Sequence, residues 1–369
     1  MHDHRNQAQR YRLWPVDRRI LVSVAAIGAV IASITACFAY VGGFLSPGRL
    51  TQARMIDAFE DVNGVHPGFR RNHAKGVCVT GYFDSNGEGG RLSKAVIFAR
   101  GRVPVVGRFA VAVGKPFVAD SGTQVRSLAL SFRPANGEEW RTGMNDIPVF
   151  SVTDAQGFYD QLLASRADPA TGKPDPAKVK AFIDAHPETA RAMQLITARP
   201  FSTGFANASY NSLNAFRLVN SSGKSTPVRW STVAVEPFVP QTPGQGATDD
   251  KDYLFDALIA RLARGPLQWR LVVTVGQPGD PTNDATRPWP ADREQVDVGV
   301  VTIDHIEAEG PNNCRDVNFD PLVLPDGIEP SDDPLLSARS AAYSTSFTRR
   351  AGEKKTPSEV QIPNAGKGA

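Results

Sequence analysis

The residues of this chain whose types and spacing suit catalysis lie in two segments. In the first, residues 69–76, a single histidine, His73, follows Arg70 and Arg71 and precedes Lys75. An imidazole accepts and releases protons near neutral pH, which is the work of a general acid–base catalyst. The same pattern also fits a structural or surface histidine, so this segment alone leaves both interpretations open.

The second segment, residues 328–350, predicts a helix with a capping residue and a proline at its start. Arg339 and Tyr343 are four residues apart, and Arg350 follows two turns later, so all three share one helix face. A solvated arginine beside an amphipathic tyrosine would give the same pattern.

Composition and spacing exclude several common kinds of site. The six histidines and three cysteines form no zinc or helix-borne metal pattern, because neither CxxC nor HExxH occurs. Ser222–Ser225 resembles the end of a phosphate-binding loop, but Leu218 stands where that loop requires glycine. The net charge of +3 comes with no strong basic cluster, so we expect no nucleic-acid partner.

The elements that must position these residues give strand signals and helix signals in turn. Two groups of four strand-like runs flank a helical insert that starts near Thr153, which indicates an α+β fold. Eight strands suit a closed barrel, since closure leaves no exposed edge, and they suit two stacked sheets equally well. The first two runs flank a Gly/Asn turn typical of a hairpin. The runs are residues 76–83, 92–98, 103–113 and 125–132, then 215–219, 228–237, 269–275 and 296–303.

The N-terminal part predicts a membrane anchor. Residues 20–45 contain no charged side chain, and residues 20–40 alone are long enough to cross the hydrocarbon core. Residues 1–19 carry five arginines against two aspartates, so by the positive-inside rule we expect a cytoplasmic basic tail and an exported domain. A cleaved signal peptide and a lipoprotein processing site at Cys37 are the alternatives.

Two expectations follow for the exported part. Cys78 and Cys314 would lie in an oxidising compartment, where a disulfide is stable. Because the sequence does not supply the distance between them, a disulfide and two buried thiols both stay open. Residues 351–369 are charged and contain proline and glycine, so we expect a flexible C-terminal tail.

Four segments in order resemble the catalase family of haem enzymes. They are His73–Gly76 (HAKG), Pro104–Phe109 (PVVGRF), Asn145–Phe150 (NDIPVF) and Asn318–Arg350, which contains GIEPS followed in register by Arg339, Tyr343 and Arg350. Short length and a membrane segment are most similar to the catalase-related peroxidases. The resemblance implies a catalase-like closed antiparallel eight-stranded β-barrel with a helical insert and a C-terminal haem-ligating helix, preceded by one transmembrane helix. The haem domain would span residues 46–350.

The resemblance also implies roles around a haem of the b type and its iron. Tyr343 would be the iron ligand, with Arg339 one turn away to favour its phenolate form. His73 would move a proton between the two oxygens of a peroxide, and Phe158 would lie against the haem ring. Guanidinium groups pair well with carboxylates, and those implied for the haem propionates are Arg70, Arg108 and Arg350.

Two positions depart from the family's pattern near the histidine. The register places Asp146 where the family has an asparagine that donates a hydrogen bond to peroxide, with Asn145 just before it. An ionised carboxylate accepts hydrogen bonds but does not donate them. Either Asp146 is protonated by burial, or Asn145 takes its place, or the role is weakened. Ala110 replaces the serine that orients the histidine, which would loosen the choice of imidazole tautomer.

From these residues we expect a peroxidase that reduces hydrogen peroxide or organic hydroperoxides with a small external reductant. Both departures would harm rapid dismutation more than donor-dependent turnover, so catalase activity is expected to be weak or absent. The same departures favour an alternative, a haem-binding or haem-sensing barrel without efficient turnover. A membrane-anchored β-rich interaction domain without cofactor is a third interpretation. The expected location is a bacterial inner membrane, crossed once by residues 20–45, with the domain in the periplasm as a monomer or homo-oligomer.

Overall fold

A computed structural model describes residues 17–45, 48–122, 125–241 and 250–362 of the chain. Contacts divide the chain into two compact units, Met1–Thr51 and Gln52–Ala369. In the first unit, helix α1 spans Arg18–Val41, and none of its residues is buried. Its 24 residues extend about 36 Å at 1.5 Å per residue, so in length and composition it suits a membrane span or a signal sequence. The predicted basic tail lies mostly outside the described residues.

The second unit is built on a closed antiparallel barrel of eight strands. The strands of its sheet are β1 Gly76–Ser85, β2 Gly101–Val111, β3 Arg126–Phe132, β4 Trp140–Asn145, β5 Tyr210–Asn211, β6 Phe216–Val219, β7 Ser225–Ala234, β8 Leu267–Val275, β9 Gln295–Glu307 and β10 Ile328–Pro330. Around the ring each strand pairs with the next in the order β7, β5, β4, β3, β2, β1, β9, β8, and β8 pairs back with β7. Two short strands, β10 and β6, continue the sheet beside β7.

The barrel closes around large aromatic side chains that alternate along the strands. Trp140 of β4 stacks on Phe132 of β3 and meets Trp230 of β7 edge-on, with ring centroids 4.7 and 5.0 Å apart. Inward-facing residues alternate with outward-facing ones because strand side chains have a period of two. Eight paired strands leave the ring without an open edge, which decides between the barrel and two stacked sheets.

The predicted hairpin around residues 84–91 is wrong. Residues 92–98 form no strand among the described elements; short 3-10 turns lie at Glu88–Arg91 and Val96–Phe98 instead. β1 therefore pairs with β2 across this longer connection, with Gly76 opposite Ala110. Sequence patterns also missed β4, which places Trp140 and Asn145 on the barrel.

Helices insert between the strands or flank them. The insert between β4 and β5 has three helices, and the last helix follows β10. At its start Asp333 accepts a hydrogen bond from the amide of Leu335 at 2.9 Å, with Pro334 at the first helical position. The helices are α2 Gln52–Asn63, α3 Ala155–Ala164, α4 Pro176–Ala185, α5 Pro187–Ala198, α6 Tyr253–Leu262 and α7 Pro334–Ala351.

The C-terminal segment expected to be flexible from residue 351 packs against the domain as far as residue 362. Glu353 forms an ion pair with Arg71 and accepts a hydrogen bond from the amide of Gly68 at 2.8 Å. Val360 is 2% exposed. Charge pairing and apolar burial therefore order a stretch whose composition alone suggested a loose tail, and residues 363–369 lie outside the described chain.

Candidate active site

Most of the residues singled out from the sequence meet at one cavity of about 550 Å³. This volume lies within the roughly 300–1,000 Å³ typical of small-molecule sites. The walls come from the segment before β1, from β2 to β4, and from α2, α3 and α7. Among the predicted site residues, those lining the cavity are Arg70, His73, Arg108, Asn145, Phe158, Arg339, Tyr343 and Arg350.

One face of α7 forms a wall of this cavity. Side chains three and four residues apart share a helix face, and the spacing in the sequence predicted that Arg339, Tyr343 and Arg350 would do so. Small residues, Ala338, Ala342 and Ser346, separate the larger ones along this wall. The α7 residues at the cavity are Leu335, Ala338, Arg339, Ala342, Tyr343, Ser346, Phe347 and Arg350.

Arg339 is held beside the Tyr343 phenol by a short polar chain. Its guanidinium carbon lies 5.9 Å from the centre of the Tyr343 ring. Asn214 accepts a hydrogen bond from the guanidinium through Oδ1 and donates one through Nδ2 to Asp333 at 2.8 Å. Asp333 is thus both the cap of α7 and the end of this chain. A guanidinium held in place thus lies beside a phenol at the cavity wall.

A second cluster of cations lies at the end of α7. Arg108 makes a bidentate ion pair with Glu309, with nitrogen–oxygen distances of 2.9 and 2.8 Å. Arg70 donates to the carbonyls of Cys314 and Val317 at 2.9 and 3.0 Å. Arg350 donates to the carbonyl of Arg315 at 2.6 Å. Three guanidinium groups thus surround one carboxylate, which leaves an excess of two positive charges.

This excess is electrostatically costly. Burial, together with Arg108 and Arg350, lowers the pKa of Arg70 well below its usual value. Burial lowers the pKa of Arg350 as well. Among the residues that the structure describes, Arg70 Nε and Arg350 Nη2 have no hydrogen-bond partner despite their burial. Because buried charges require partners, the cluster is suited to a ligand that brings two anionic groups.

Gly76 makes room for this cluster. A Cβ at this position would collide with the guanidinium of Arg108 and with the carbonyl oxygen of Phe109. β1 begins at Gly76, so the side chain of Arg108 passes across the first residue of that strand.

His73 occupies the cavity wall in a strained backbone conformation. Its φ of 54° is positive, which is uncommon for residues other than glycine, and Leu213, also at the cavity, has a φ of 63°. Strain of this kind is typical of functional sites. Burial, with Arg108, Arg339 and Arg70 nearby, lowers the pKa of His73 from 6.5 to about 3, so the imidazole is neutral at physiological pH.

Asn145, rather than Asp146, faces the cavity beside His73. Neighbouring residues at a strand end point to opposite sides, so only one of the two can do so. Asp146 turns away and accepts from the amide of Arg126 at 2.9 Å and from Arg199 at 3.3 Å. Burial raises the pKa of Asp146, and Arg199 opposes that change. The register-based placement of Asp146 at the site is therefore corrected by one residue.

The imidazole also has a hydroxyl partner, although position 110 is alanine. Ser127 Oγ on β3 lies 3.1 Å from His73 Nδ1 and 2.5 Å from Asn145 Oδ1. The expected loosening of the histidine does not follow from the Ala110 replacement, because a serine on the neighbouring strand contacts the ring.

Phe158 reaches the cavity from α3 within an aromatic cluster. Its ring stacks on Phe150 and meets Phe59 of α2 at a tilt, both with centroids 5.7 Å apart. These ring contacts would by themselves account for the position of Phe158 as a core residue. Its place in the cavity wall is also consistent with the expected contact to a ring-shaped ligand.

Cys78 and Cys314 form a disulfide. Both cysteines are fully buried in a cluster with Phe319, and Tyr343 packs against this cluster. The bond joins β1 to the segment whose carbonyls hold Arg70 and Arg350, so it braces the cation cluster.

Sequence reasoning missed three polar residues of the site, Ser127, Asn214 and Glu309. None lies in a recognisable motif, and each acts through a partner distant in sequence. The sequence offered only an indirect indication that such residues exist, because buried arginines and a buried histidine require polar partners.

Comparison with known proteins is consistent with this geometry. The family model described as Catalase matches residues 46–366. A catalase-related peroxidase of Synechococcus elongatus is 37% identical over 339 residues, covering 90% of this chain and 96% of that protein. A catalase-related peroxidase of Mycolicibacterium paratuberculosis is 32% identical, covering 83% of this chain and 96% of that protein.

Longer catalases match most of this chain over little more than half of their own length. The catalase of Rattus norvegicus is 28% identical over 79% of this chain, which is 57% of the rat protein. Solved structures of a fungal and a bacterial catalase have a TM-score of 0.69 at 20% and 22% identity. The match covers 78% of this chain and 60% and 58% of those structures. At that identity they show a shared fold.

Proposed function

The chain belongs to the catalase family and is an oxidoreductase that acts on peroxide, and on this premise we propose that it is a haem-dependent peroxidase that uses an external electron donor. The carrying observation is one cavity that combines a phenol beside a cation, a neutral imidazole and a cation cluster with two uncompensated charges. Hydrogen peroxide and organic hydroperoxides are the proposed substrates.

The residues present fit a haem in three independent respects. The excess of two positive charges matches the two propionates of a haem, and the unpartnered nitrogens of Arg70 and Arg350 would receive them. The small side chains of Ala338, Ala342 and Ser346 at the cavity wall would let a flat ring lie close to α7. A tyrosine oxygen is an established iron ligand in haem proteins, and Tyr343 supplies one at the same wall.

In this proposal a bound haem would supply the two electrons needed to cleave the peroxide O–O bond, and the external donor would return them. Tyr343 would hold the iron, with Arg339 stabilising the negative charge on its oxygen. His73 Nε2 would accept a proton from one peroxide oxygen and return it to the other, which turns a poor leaving group into water or an alcohol. Asn145 would orient the peroxide by donating from its amide nitrogen.

The use of an external donor is proposed from the relatives rather than from the distal residues. Asp146 and Ala110 were the two reasons to expect weak catalase activity. Neither reason holds here, because Asn145 faces the cavity in place of Asp146 and Ser127 contacts His73 although position 110 is alanine. The chain instead matches nearly the whole length of two catalase-related peroxidases and little more than half of the longer catalases. Part of the cavity wall is apolar, from α2, which suits a small organic donor.

Location at a membrane is likewise a proposal. Helix α1 has the length and composition of a single span, and a buried disulfide favours a domain that folds in an oxidising compartment. We place the domain outside the cytoplasm, at the periplasmic face of a bacterial inner membrane. Oxidised Cys78 and Cys314 in protein isolated with a thiol-trapping reagent would support this location, whereas free thiols would contradict it.

The test begins with absorption spectra of the full chain reconstituted with haem. Wild type is expected to bind one haem with a ferric tyrosinate spectrum, and Tyr343→Phe is expected to change it. Tyr82→Phe on β1, outside the cavity, is the matched control. An unchanged high-spin ferric spectrum in Tyr343→Phe would show that the ligand is misassigned.

Activity is tested on the same preparation. We expect donor oxidation to exceed oxygen evolution from hydrogen peroxide in the steady state. Oxygen evolution at a comparable rate would contradict the proposed preference for an external donor, and a loaded protein inactive in both assays would contradict enzymatic turnover.

A further inference from the structure

Ser127 lies opposite Ala110 where strands β2 and β3 pair. The two residues are direct partners in the antiparallel register, and both line the cavity. Directly opposed residues of an antiparallel pair project to the same face of the sheet. The hydroxyl that the family pattern places on position 110 therefore has a counterpart on the neighbouring strand of this chain.

The distances around Ser127 Oγ decide where its single proton lies. The 2.5 Å separation from Asn145 Oδ1 falls in the range of O–H···O hydrogen bonds and is too short for a typical N–H···O bond. The hydroxyl therefore donates to Asn145. The 3.1 Å separation from His73 Nδ1 fits an N–H···O bond, in which the same oxygen accepts from the imidazole.

We infer that Ser127 is a positioning residue that sets the protonation geometry of His73 and Asn145 through one hydroxyl. A hydroxyl has one proton to give, so donating to Asn145 leaves it only an acceptor for His73. His73 then carries its proton on Nδ1, and Nε2 is free to act as a base. Asn145 keeps both amide hydrogens for other acceptors. This role in peroxide reduction rests on the proposed function, whereas the tautomer itself does not.

A neutral imidazole carries a proton on one ring nitrogen, whereas a charged imidazole carries one on each. Nε2 of His73 is therefore free to act as a base only if the imidazole is uncharged. Burial beside three arginines lowers the pKa of His73 to about 3, which meets this condition. The same hydroxyl connects the two side chains, so loss of Ser127 is expected to disturb both.

The first experiment reads the tautomer in the full chain without added haem. Nitrogen-15 spectra of histidine-labelled protein distinguish a protonated from an unprotonated ring nitrogen, and His73→Gln assigns the signal. Wild type is expected to show Nδ1–H. Ser127→Ala is expected to lose this preference, whereas Ser131→Ala, a buried serine on the same strand, is expected to retain it. An unchanged Nδ1–H tautomer in Ser127→Ala would overturn the inference.

The second experiment returns the hydroxyl to β2. In haem-loaded protein, Ser127→Ala is expected to lower kcat/KM for peroxide by about tenfold to a hundredfold, the usual effect of removing an orienting partner. Ser127→Ala combined with Ala110→Ser is expected to recover both the tautomer and most of the rate. A double variant that unfolds at the wild-type temperature but recovers neither would overturn the inference.

Failure of the proposed function would look different. If the chain bound no haem, the tautomer of the unloaded protein would still test Ser127. If haem bound and peroxide reacted normally while the tautomer ignored Ser127, the positioning role alone would be wrong.

Discussion

The buried, neutral state of His73 makes a quantitative prediction for the acid stability of the unloaded chain. In the unfolded chain the imidazole takes up a proton below about pH 6.5, whereas the fold holds its pKa at about 3. Between these values the unfolded state binds more protons, so the free energy of unfolding falls as the pH falls. From about pH 7 to pH 4.5 the two pKa values give a loss of about 2.5 kcal/mol from this residue.

The variant His73→Gln removes the titrating group and keeps a polar side chain of similar reach. Urea unfolding of the wild type and the variant at about pH 7 and pH 4.5 gives two stability differences. The wild type is expected to lose about 2.5 kcal/mol more than the variant over this interval. Other acidic groups titrate in both proteins and cancel in the comparison. His305→Gln, an exposed site on β9, is the matched control.

A wild-type excess below about 0.5 kcal/mol, within the usual spread of surface substitutions, would contradict a strongly lowered pKa of His73. It would mean that His73 binds its proton in the folded chain almost as readily as in the unfolded one. The imidazole would then not be a neutral base over the acidic range, and the assignment of His73 as proton acceptor would lose its electrostatic basis.

Three further predictions follow from named contacts. Asn145→Ala is expected to lower peroxide kcat/KM at least about tenfold, whereas Asp146→Asn should chiefly cost about 3–5 kcal/mol in urea unfolding through the buried Arg199 pair; equal kinetic losses would contradict the one-residue correction. Glu309→Gln is expected to destabilise the unloaded chain by about 3 kcal/mol and the haem-loaded chain much less, since propionates would replace the lost charge; thermal unfolding that is lowered equally in both forms would count against the propionate role. Cys78→Ser with Cys314→Ser is expected to cost roughly 5–6 kcal/mol for a closed loop of this length, measured by denaturant titration, and a loss below about 1 kcal/mol would show that the disulfide adds little.

Features that depend on neighbours along the chain were predictable. Spacing in residues 334–351 predicted the shared face of Arg339, Tyr343 and Arg350, because helix periodicity places residues four and seven apart on one side. The uncharged run predicted helix α1. The strand-like runs at β1, β2 and β3 correspond to observed strands for the same reason, since alternation is a local pattern.

Predictions failed where two strands had to be compared. Residues 92–98 look like a strand, yet they form part of a long connection because β1 finds its partner further along the chain. The choice between Asn145 and Asp146 depends on which strand face points inward, and a shift of one residue reverses it.

The family, the cavity face of α7 and most of the charged residues at the site could be predicted from the sequence, because they depend on local residue order and composition. Which of these residues act together depends on the tertiary structure. The contact of Ser127 with His73 joins residues 54 positions apart, and Arg108 meets Glu309 across 201 positions. Such pairs form because barrel closure and strand register bring distant backbone segments together, and no short-range pattern encodes that distance.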